Sequence, residues 1–185
     1  ETARIIPLVI EEEKMTKAKE AAMAATGNKP ILNLLPFKHK KVGIVTTGNE
    51  VFYGRIKDTF TPVIEGKMAE FDTEIIDHVT WNDDDTKVTA SILDMIKKGA
   101  DIVVCTVAFV RVPDDKTPLA IKNTGADIVS YGAPVLPGAM FMLAYYQVTE
   151  GENPRTVAIM GLPGCVMYAK RTIFDLVLAR VMADD

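Results

Sequence analysis

The sequence predicts an α/β protein, a three-layer α/β/α domain in which helices cover both faces of a mostly parallel sheet. Short apolar runs typical of buried strands, such as residues 42–45 and 102–104, alternate along the chain with longer amphipathic segments. A helix between two strands carries the chain back across the sheet, so successive strands run parallel. This alternation therefore favours a parallel sheet with helices on both sides.

The composition is that of a globular domain. The 185 residues are 48% hydrophobic and 25% charged, and the net charge is −4. A net negative charge argues against a broad nucleic-acid surface, and no apolar stretch approaches the roughly 18 residues of a membrane span. Cys105 and Cys165 lack CxxC spacing, as expected for reduced thiols in the cytoplasm. We expect a cytoplasmic protein with neither nucleic acid nor membrane as partner.

The first part of the chain differs from the rest. Residues 11–25 are rich in Glu, Lys, Ala and Met, which favour a helix, and the acidic start of this segment suits the helix dipole. The alternation of strands and helices begins only at Lys41. We therefore predict an N-terminal arm, or the remnant of a preceding domain, over residues 1–36 and the α/β domain over residues 37–185.

The elements of this domain follow from periodicity and end signals. We predict strands at residues 42–46, 73–79, 101–106, 126–131 and 156–160. Thr61 can cap a helix that has Pro62 at its first position. A second helix begins within residues 82–85 and ends at Gly99, which is a common residue after a helix. The last helix is predicted as continuous from about residue 165 to residue 182.

Polar and glycine-rich residues follow three of these strands. They are Thr47-Gly48-Asn49-Glu50, Thr106 with Pro113-Asp114-Asp115-Lys116, and Gly161-Leu162-Pro163-Gly164. Loops at the carboxyl ends of parallel strands share one edge of the sheet, where α/β proteins bind ligands. Carboxylates at this edge suit Mg²⁺, and glycine-rich backbone before the predicted last helix suits an anion. A phosphorylated ligand with a divalent ion is the chemistry this pattern favours.

Each of these features also has an ordinary structural explanation, as a turn, a helix cap or a surface acid. A fourth loop, residues 132–138, repeats the Pro-Gly pair, and the sequence leaves its edge of the sheet open. The chain contains no GxGxxG, GxxxxGK[ST] or GxSxG motif. His39 and His78 have no ligand spacing, so we do not expect chemistry that depends on histidine.

Taken in order, four motifs resemble those of the molybdopterin-binding domain shared by molybdenum-cofactor biosynthesis proteins. The similarity is greatest to the branch that contains molybdopterin molybdenumtransferase, whose first motif is Thr-Gly-(Asp/Asn)-Glu. It spans residues 40–182. The four motifs are Thr47-Gly48-Asn49-Glu50, residues 106–115, Val135-Leu136-Pro137-Gly138 and Gly161-Leu162-Pro163-Gly164.

This resemblance implies a function and a set of site residues. Family members adenylylate molybdopterin, or exchange its adenylyl group for molybdate with a divalent ion. The resemblance gives catalytic roles to Glu50 and Asp115, and metal ligation to both and to Asp114. It implies molybdopterin or its adenylylated form as ligand, Mg²⁺, molybdate, and a homo-oligomer as an option. The cofactor contacts it implies are Thr47, Gly48, Asn49, Thr106, Pro137, Gly138, Gly161, Pro163 and Gly164.

The second motif departs from the family pattern, which is Thr-Gly-Gly-x-Ser-x-(Gly or Asp)-x-x-Asp. Thr106 and Asp115 keep their spacing, but Val107 and Ala108 replace the two glycines and Val110 replaces the serine. A β-branched residue disfavours the positive φ that glycine permits, so backbone N–H groups are less able to surround a phosphate here. Arg111 could supply positive charge instead, with different geometry.

Two functions remain open at this point. The domain could be an enzyme of molybdenum-cofactor assembly that acts by electrostatic positioning. It could instead be a non-catalytic pterin- or nucleotide-binding module, such as a carrier, sensor or scaffold, with a degenerate second motif. A third and weaker interpretation is a flavodoxin-like domain that shares only the fold.

Overall fold

The computed structural model describes residues 7–27, 29–30, 32–107, 116–149 and 154–185. The chain divides into two compact units, Glu1–Leu35 and Pro36–Asp185. The first unit contains helix α1, Glu12–Ala25, which begins with an acidic turn. Gly27 has a φ of +61° just after this helix. The helix predicted over residues 11–25 is therefore confirmed.

The second unit contains one six-stranded sheet with the order β2-β1-β3-β6-β5-β4. Its strands are β1 Lys40–Thr47, β2 Thr73–Trp81, β3 Ile102–Val107, β4 Asp127–Tyr131, β5 Met142–Val148 and β6 Arg155–Leu162. Strands β2, β1, β3 and β6 pair in parallel, and β5 and β4 complete the sheet in antiparallel fashion. The sheet is mostly parallel, as predicted.

Helices cover both faces of this sheet. They are α2 Asn49–Phe52, α3 Phe60–Met68, α4 Asp85–Lys97, α5 Thr117–Asn123 and α6 Ile173–Met182, with a short 3-10 helix at Gly164–Met167. Successive residues of β1 point to opposite faces. Ile44 packs with residues of α3 and α6, whereas Val45 packs with residues of α4 and α5. The predicted three-layer α/β/α architecture is confirmed.

The predicted last helix is wrong as a continuous element. The structure has a four-residue 3-10 helix, a break, and then α6, which begins after a capping box formed by Thr172 and Asp175. The buried face of α6 contains Phe174 and Leu178. The capping box therefore marks the true start of this helix inside the segment that was predicted as one helix.

The start of α3 is also corrected. Thr61 is not its cap, because the helix already begins at Phe60. The Asp58 carboxylate accepts hydrogen bonds from the backbone N–H groups of Phe60 at 2.8 Å and of Thr61 at 3.1 Å. Aspartate caps helices in this way as well as threonine does, so the signal was present three residues before the predicted cap, Thr61.

Three elements were not predicted: the four-residue helix α2, helix α5 and strand β5. Helix α5 is only seven residues long and carries Pro118 in its first turn. Strand β5 reads Met-Leu-Ala-Tyr-Tyr-Gln-Val, and all its residues except the exposed Gln147 are buried or partly buried. Apolar and aromatic residues occupy both of its faces, so no alternation between polar and apolar residues marked it as a strand.

Candidate functional site

The carboxyl ends of β1, β3 and β6 lie side by side at one edge of the sheet. Thr46 is paired with Thr106, and Thr106 with Leu162, across these three strands. Strand β5 runs the other way, and its first residue, Met142, is opposite Gly161. The loop between β4 and β5 therefore reaches this edge too, which resolves the placement that the sequence left open. We call this edge the C-terminal edge.

Thr47 and Gly48 end β1 in a well-defined geometry. The Thr47 hydroxyl is buried, donates a hydrogen bond to the carbonyl oxygen of Thr106 at 3.0 Å, and lies 3.4 Å from the Thr117 hydroxyl. Gly48 has a φ of +144° and donates its N–H to the carbonyl oxygen of Trp81 at 3.0 Å. Residues with a side chain rarely adopt such a φ, so glycine suits this turn. Thr47 fixes β1 to β3, and Gly48 redirects the chain out of the sheet.

Asn49 and Glu50 are exposed at the start of α2, directly beyond this turn. The Asn49 side-chain amide donates to the Asp83 carboxylate at 2.7 Å. The Glu50 carbonyl oxygen accepts hydrogen bonds from the N–H groups of Arg55 and Ile56. These contacts hold the backbone of Glu50 at the C-terminal edge, with its carboxylate on the exposed surface.

The sequence analysis missed an acidic group beside Asn49. Asp83, Asp84 and Asp85 follow β2, and all three line a small cleft of about 10 Å³ together with Thr47, Lys116 and Thr117. Asp84 serves as the N-cap of α4, since it accepts from the N–H groups of Thr86 and Lys87. The signal was three consecutive aspartates after a strand, which we interpreted only as a helix start.

Two buried polar atoms at this edge have no hydrogen-bond partner. They are the Thr106 hydroxyl and the Asn82 side-chain oxygen, and they are the only such side-chain atoms in the part of the chain that the structure describes. Thr106 lies near the end of β3, and Asn82 follows β2 directly. An unpaired buried polar group costs about 1–3 kcal/mol, so native structures usually supply a partner such as a ligand or an ordered water. Both atoms are therefore available to a ligand or an ordered water at the C-terminal edge.

A polar network supports this edge from the side of α3. The His78 Nε2 atom lies 2.9 Å from the Thr61 hydroxyl and 3.2 Å from the Thr46 hydroxyl. The Asp58 carboxylate is 3.8 Å from the same nitrogen. These contacts connect β1, β2 and the first turn of α3 just below the Gly48 turn. His78 therefore belongs to a hydrogen-bond network next to the C-terminal edge. Its spacing in the sequence did not predict this network.

The Gly161–Gly164 segment differs from the open loop that we expected. Gly161 lies inside β6, and a Cβ atom there would be 3.2 Å from Ile121 Cδ1 and from Met142 Cβ. Pro163 precedes the 3-10 helix and Gly164 begins it. The prediction that a long helix follows this segment and exposes backbone N–H groups there is thus wrong. Glycine is needed at position 161 because a side chain would press on Ile121 and Met142.

Pro137 and Gly138 lie in the loop between β4 and β5, next to the start of α6. The Pro137 carbonyl oxygen accepts from the Ile173 N–H at 3.4 Å. Gly138 has a φ of +119°, and a Cβ atom there would lie 2.6 Å from Ile173 Cγ2. The Leu136–Pro137 peptide bond is cis. The loop is therefore packed against α6 at the C-terminal edge, where the resemblance had placed a ligand contact.

Asp114 and Asp115, the remaining predicted metal ligands, lie outside the described residues. Within those described, no group of three or more His, Cys, Asp or Glu side chains is arranged to hold a metal ion. The predicted metal site therefore depends on the combination of Glu50 with Asp114 and Asp115, and it stays a prediction. In the same part of the chain, no helix is long and apolar enough to cross a membrane.

A second cleft, of about 470 Å³, lies at the opposite edge, where the parallel strands begin; Lys40, Asp101, Tyr145, Arg155 and Asp184 are among the residues that line it. Its charges are paired, Lys40 with Asp184 and Arg155 with Asp101. Burial and the nearby Asp184 carboxylate raise the pKa of the Tyr145 phenol. In contrast to the C-terminal edge, this cleft has the features of a structural ion-pair region.

Fold and site together define a class of protein. The sheet is mostly parallel, helices cover both of its faces, and polar groups lie at its C-terminal edge. This is the arrangement in which α/β domains bind small ligands. Sequence comparison is more specific, because a family model described as "Probable molybdopterin binding domain" matches residues 43–183. The chain belongs to that family, which confirms the predicted membership and the place in molybdenum-cofactor biosynthesis at the level of the family. The flavodoxin-like interpretation assumed that the chain shares only the fold with this family. The match is one of sequence, so it argues against that interpretation.

Solved structures share the fold at low sequence identity. The tungsten cofactor synthesizing protein MoaB from Pyrococcus furiosus has a TM-score of 0.58 at 21% identity, over 78% of this chain and 93% of that one. A putative molybdenum cofactor biosynthesis protein from Corynebacterium diphtheriae has a TM-score of 0.57 at 16% identity, over 80% and 95% of the two chains. The molybdopterin biosynthesis enzyme MoaB from Thermus thermophilus has a TM-score of 0.55 at 16% identity, over 79% and 98%. A comparison with curated protein sequences gave no match.

Proposed function

We propose that this domain binds molybdopterin at its C-terminal edge as a step of molybdenum-cofactor biosynthesis. Family membership supports a pterin ligand. The observation that carries the location is the pair of unpartnered buried atoms, the Thr106 hydroxyl and the Asn82 side-chain oxygen, at one edge of the sheet. A ligand at this edge would also lie beside Thr47, Gly48 and Pro137, which the resemblance assigns to cofactor binding.

The proposal extends to the adenylylated form of molybdopterin, to molybdate and to Mg²⁺. Glu50 is exposed at the edge, and carboxylate oxygens are the ligands that Mg²⁺ prefers. Glu50, Asp114 and Asp115 would hold the ion, which would neutralise negative charge on the phosphate groups. The protein's own part would be to position ligand and molybdate by fixed charges and backbone dipoles rather than by covalent catalysis.

A non-catalytic binding module is the second candidate. It is favoured by Val107, Ala108 and Val110, which replace the two glycines and the serine of the second motif. A domain that binds the pterin and lacks turnover would act as a carrier, sensor or scaffold. Metal-dependent insertion of molybdate into adenylylated molybdopterin separates the two candidates, because only the enzyme performs it.

The test of the metal site compares two carboxylate variants. Glu50→Gln removes a charge at the C-terminal edge, and Glu65→Gln removes one from an exposed position on α3. We expect Glu50→Gln to abolish the gain in affinity for molybdopterin that Mg²⁺ gives the wild type. The thermal midpoint should not change, because an exposed side chain at the start of α2 contributes little packing. Equilibrium dialysis with and without Mg²⁺ measures this gain. Equal behaviour of both variants would exclude Glu50 as a metal ligand.

A cytoplasmic location is also part of the proposal. Cys165 is a free thiol in the structure, and Cys105 is buried in the sheet. Free thiols are usual in proteins of reducing compartments.

A further inference from the structure

His78 and three neighbouring side chains form a polar cluster on the face of the sheet that α3 covers, just below the C-terminal edge. Thr46 and Thr61 are buried, whereas the side chains of His78 and Asp58 are 32% and 20% exposed. The His78 Nε2 atom lies 2.9 Å from the Thr61 hydroxyl oxygen and 3.2 Å from the Thr46 hydroxyl oxygen. The two hydroxyl oxygens are 3.2 Å apart. Since these three atoms are in mutual contact, the position of one proton decides how the others are arranged.

Hydrogen-bond accounting places a proton on His78 Nε2. The Thr61 hydroxyl has one proton, and it donates this proton to the Asp58 carboxylate at 2.5 Å. The Thr61 oxygen can therefore meet Nε2 only as an acceptor, and Nε2 must be the donor. The Nε2–H group lies close enough to the Thr46 oxygen to be shared with it. Thr46 then donates its own proton to the Thr61 oxygen, so both hydrogen-bonding roles of Thr46 are filled.

Thr46 is also the neighbour of Thr106 across the sheet. The two residues are paired in register on the parallel strands β1 and β3, so their side chains point to the same face. Adjacent strands are about 4.8 Å apart, so rotation of a threonine about χ1 can direct its hydroxyl towards the next strand. With Thr46 fully engaged in the cluster, the buried Thr106 hydroxyl has no protein partner. The cluster therefore controls whether this hydroxyl is available.

We propose that His78 is a positioning residue for the ligand site at the C-terminal edge. By donating from Nε2, it keeps the Thr46 hydroxyl turned towards Thr61 and away from Thr106. Without this N–H group, Thr46 has a buried acceptor that lacks a donor, and rotation of Thr46 pairs it with the Thr106 hydroxyl, because unpaired buried polar groups are unfavourable. The Thr106 hydroxyl is then lost to the ligand. The role of His78 rests on the proposed function, since it acts on the proposed pterin site.

The proton on Nε2 is tested without a ligand. The chain has two histidines, so a His39→Asn variant assigns the imidazole signals of His78 in long-range proton–nitrogen NMR spectra. His39 precedes β1 and contacts Asp72 and Glu74 instead. At about pH 8, where an ordinary imidazole is neutral, we expect the nitrogen shifts of a ring that is protonated on Nε2. A His78 ring without a proton on Nε2 would overturn the proposal, whether or not the domain binds a pterin.

Binding of molybdopterin tests the positioning role. His78→Gln keeps an N–H group at the place of Nε2, whereas the shorter side chain of His78→Asn has its amide at the place of Nδ1 and cannot reach the two threonines. We expect His78→Asn to raise the dissociation constant about tenfold, as for the loss of one hydrogen bond, and His78→Gln to stay within about twofold of the wild type. Anaerobic equilibrium dialysis measures both values. His39→Asn is the matched control and should bind as the wild type does.

A double-mutant cycle separates positioning from a general structural effect. Because His78 acts through Thr106, His78→Asn should weaken binding less than about twofold in the Thr106→Val background. The same loss in both backgrounds, or equal affinities of His78→Gln and His78→Asn, would overturn the positioning role. A wild type that binds no molybdopterin contradicts the proposed function, and the positioning role falls with it. A missing Nε2 proton in a domain that binds molybdopterin contradicts the role of His78 alone.

Discussion

Thr106 and Thr47 illustrate, at the scale of single residues, how similar side chains can have different roles. Both are buried threonines at the ends of neighbouring strands. Thr47 donates its hydroxyl proton to the Thr106 carbonyl oxygen, and this bond stabilises the pairing of β1 with β3. The Thr106 hydroxyl has no partner in the protein. The first is thus a structural group, and the second is available to a ligand or a water.

The sequence analysis identified Thr47, Gly48, Glu50 and Thr106 as candidate site residues. It did not show which role each of them has. Glycine at position 48 could be predicted from the turn that must follow a strand. The difference between the two threonines could not be predicted, because it depends on which hydroxyl faces an acceptor on another strand. Gly161 shows the same limit, since its close neighbours come from α5 and β5, which were not predicted.

Replacing Thr106 with valine should separate binding from stability. Valine removes an unpaired hydroxyl and keeps the shape, so the free energy of unfolding should stay within about 0.5 kcal/mol of the wild type. Affinity for molybdopterin should fall about tenfold, as for the loss of one hydrogen bond. Denaturant titration and equilibrium dialysis measure the two quantities.

The matched control is Thr47→Val, which breaks a formed hydrogen bond and should cost about 1–2 kcal/mol of unfolding free energy. If Thr106→Val proves as destabilising as Thr47→Val, the Thr106 hydroxyl has a protein partner and does not mark a ligand site.

At the scale of elements, the position of the loop that contains Pro137 and Gly138 depends on how the start of α6 is fixed. The Lys67 ammonium of α3 contacts the Asp175 carboxylate of α6 at 2.6 Å, and both side chains are nearly inaccessible. Asp175 also accepts from the Thr172 N–H at 2.7 Å. These bonds hold the start of α6, against which Pro137 and Gly138 pack. The predicted continuous helix missed this arrangement because partners 108 residues apart in sequence create it.

Asp175→Asn should weaken the protein and reduce its acid sensitivity. Burial acts to raise the pKa of the Asp175 carboxyl, but hydrogen bonds from Lys67 and Thr172 outweigh it and hold this pKa below its usual value. The stabilisation is therefore complete above the unfolded-state pKa and is lost as the pH falls through the lower folded-state pKa. We expect a loss of about 3 kcal/mol at pH 7 and a flatter stability profile below about pH 4.

Urea denaturation at several pH values measures this profile. Asp94→Asn is its control, because the Asp94–Lys98 pair is exposed on α4 and should contribute no more than about 0.5 kcal/mol. Identical losses in the two variants would mean that the Lys67–Asp175 contact contributes nothing beyond a surface pair.

Gly161→Ala tests whether this glycine serves packing. Its added methyl group would press on Ile121 and Met142, so we expect a loss of about 1–3 kcal/mol of unfolding free energy. Gly66→Ala is the control, because a Cβ atom at this position in α3 has no neighbour within 4 Å. Alanine should stabilise that helix by about 0.5–1 kcal/mol. A neutral Gly161→Ala variant with weakened pterin binding would instead favour a ligand contact at this position.

At the scale of the whole molecule, the alternation of strands and helices was sufficient to predict the three-layer architecture. Parallel strands need helical crossovers, so the order of elements limits the possible topologies. The antiparallel pair β4–β5 was not predicted, yet it brings Pro137 and Gly138 to the C-terminal edge. The sequence alone could not place this loop, because its position depends on the direction of β5. Strand β5 was not predicted, since its residues show no alternation between polar and apolar.

The proposed location of the ligand rests on the whole domain, because the two edges of the sheet offer different clefts. The C-terminal edge contains the unpartnered atoms, and the opposite edge contains the paired charges of Lys40, Asp101 and Arg155. We therefore expect a pterin that is recognised through unsatisfied polar groups to bind at the first edge, because binding at the second would have to compete with existing ion pairs.

Amide chemical-shift mapping of the isotope-labelled chain during an anaerobic titration with molybdopterin tests this most directly. The account predicts saturable shifts that cluster at Thr47, Gly48, Thr106 and Gly138, with Arg155 unchanged. Shifts centred on the residues around Arg155, or none at a large excess of ligand, would contradict it.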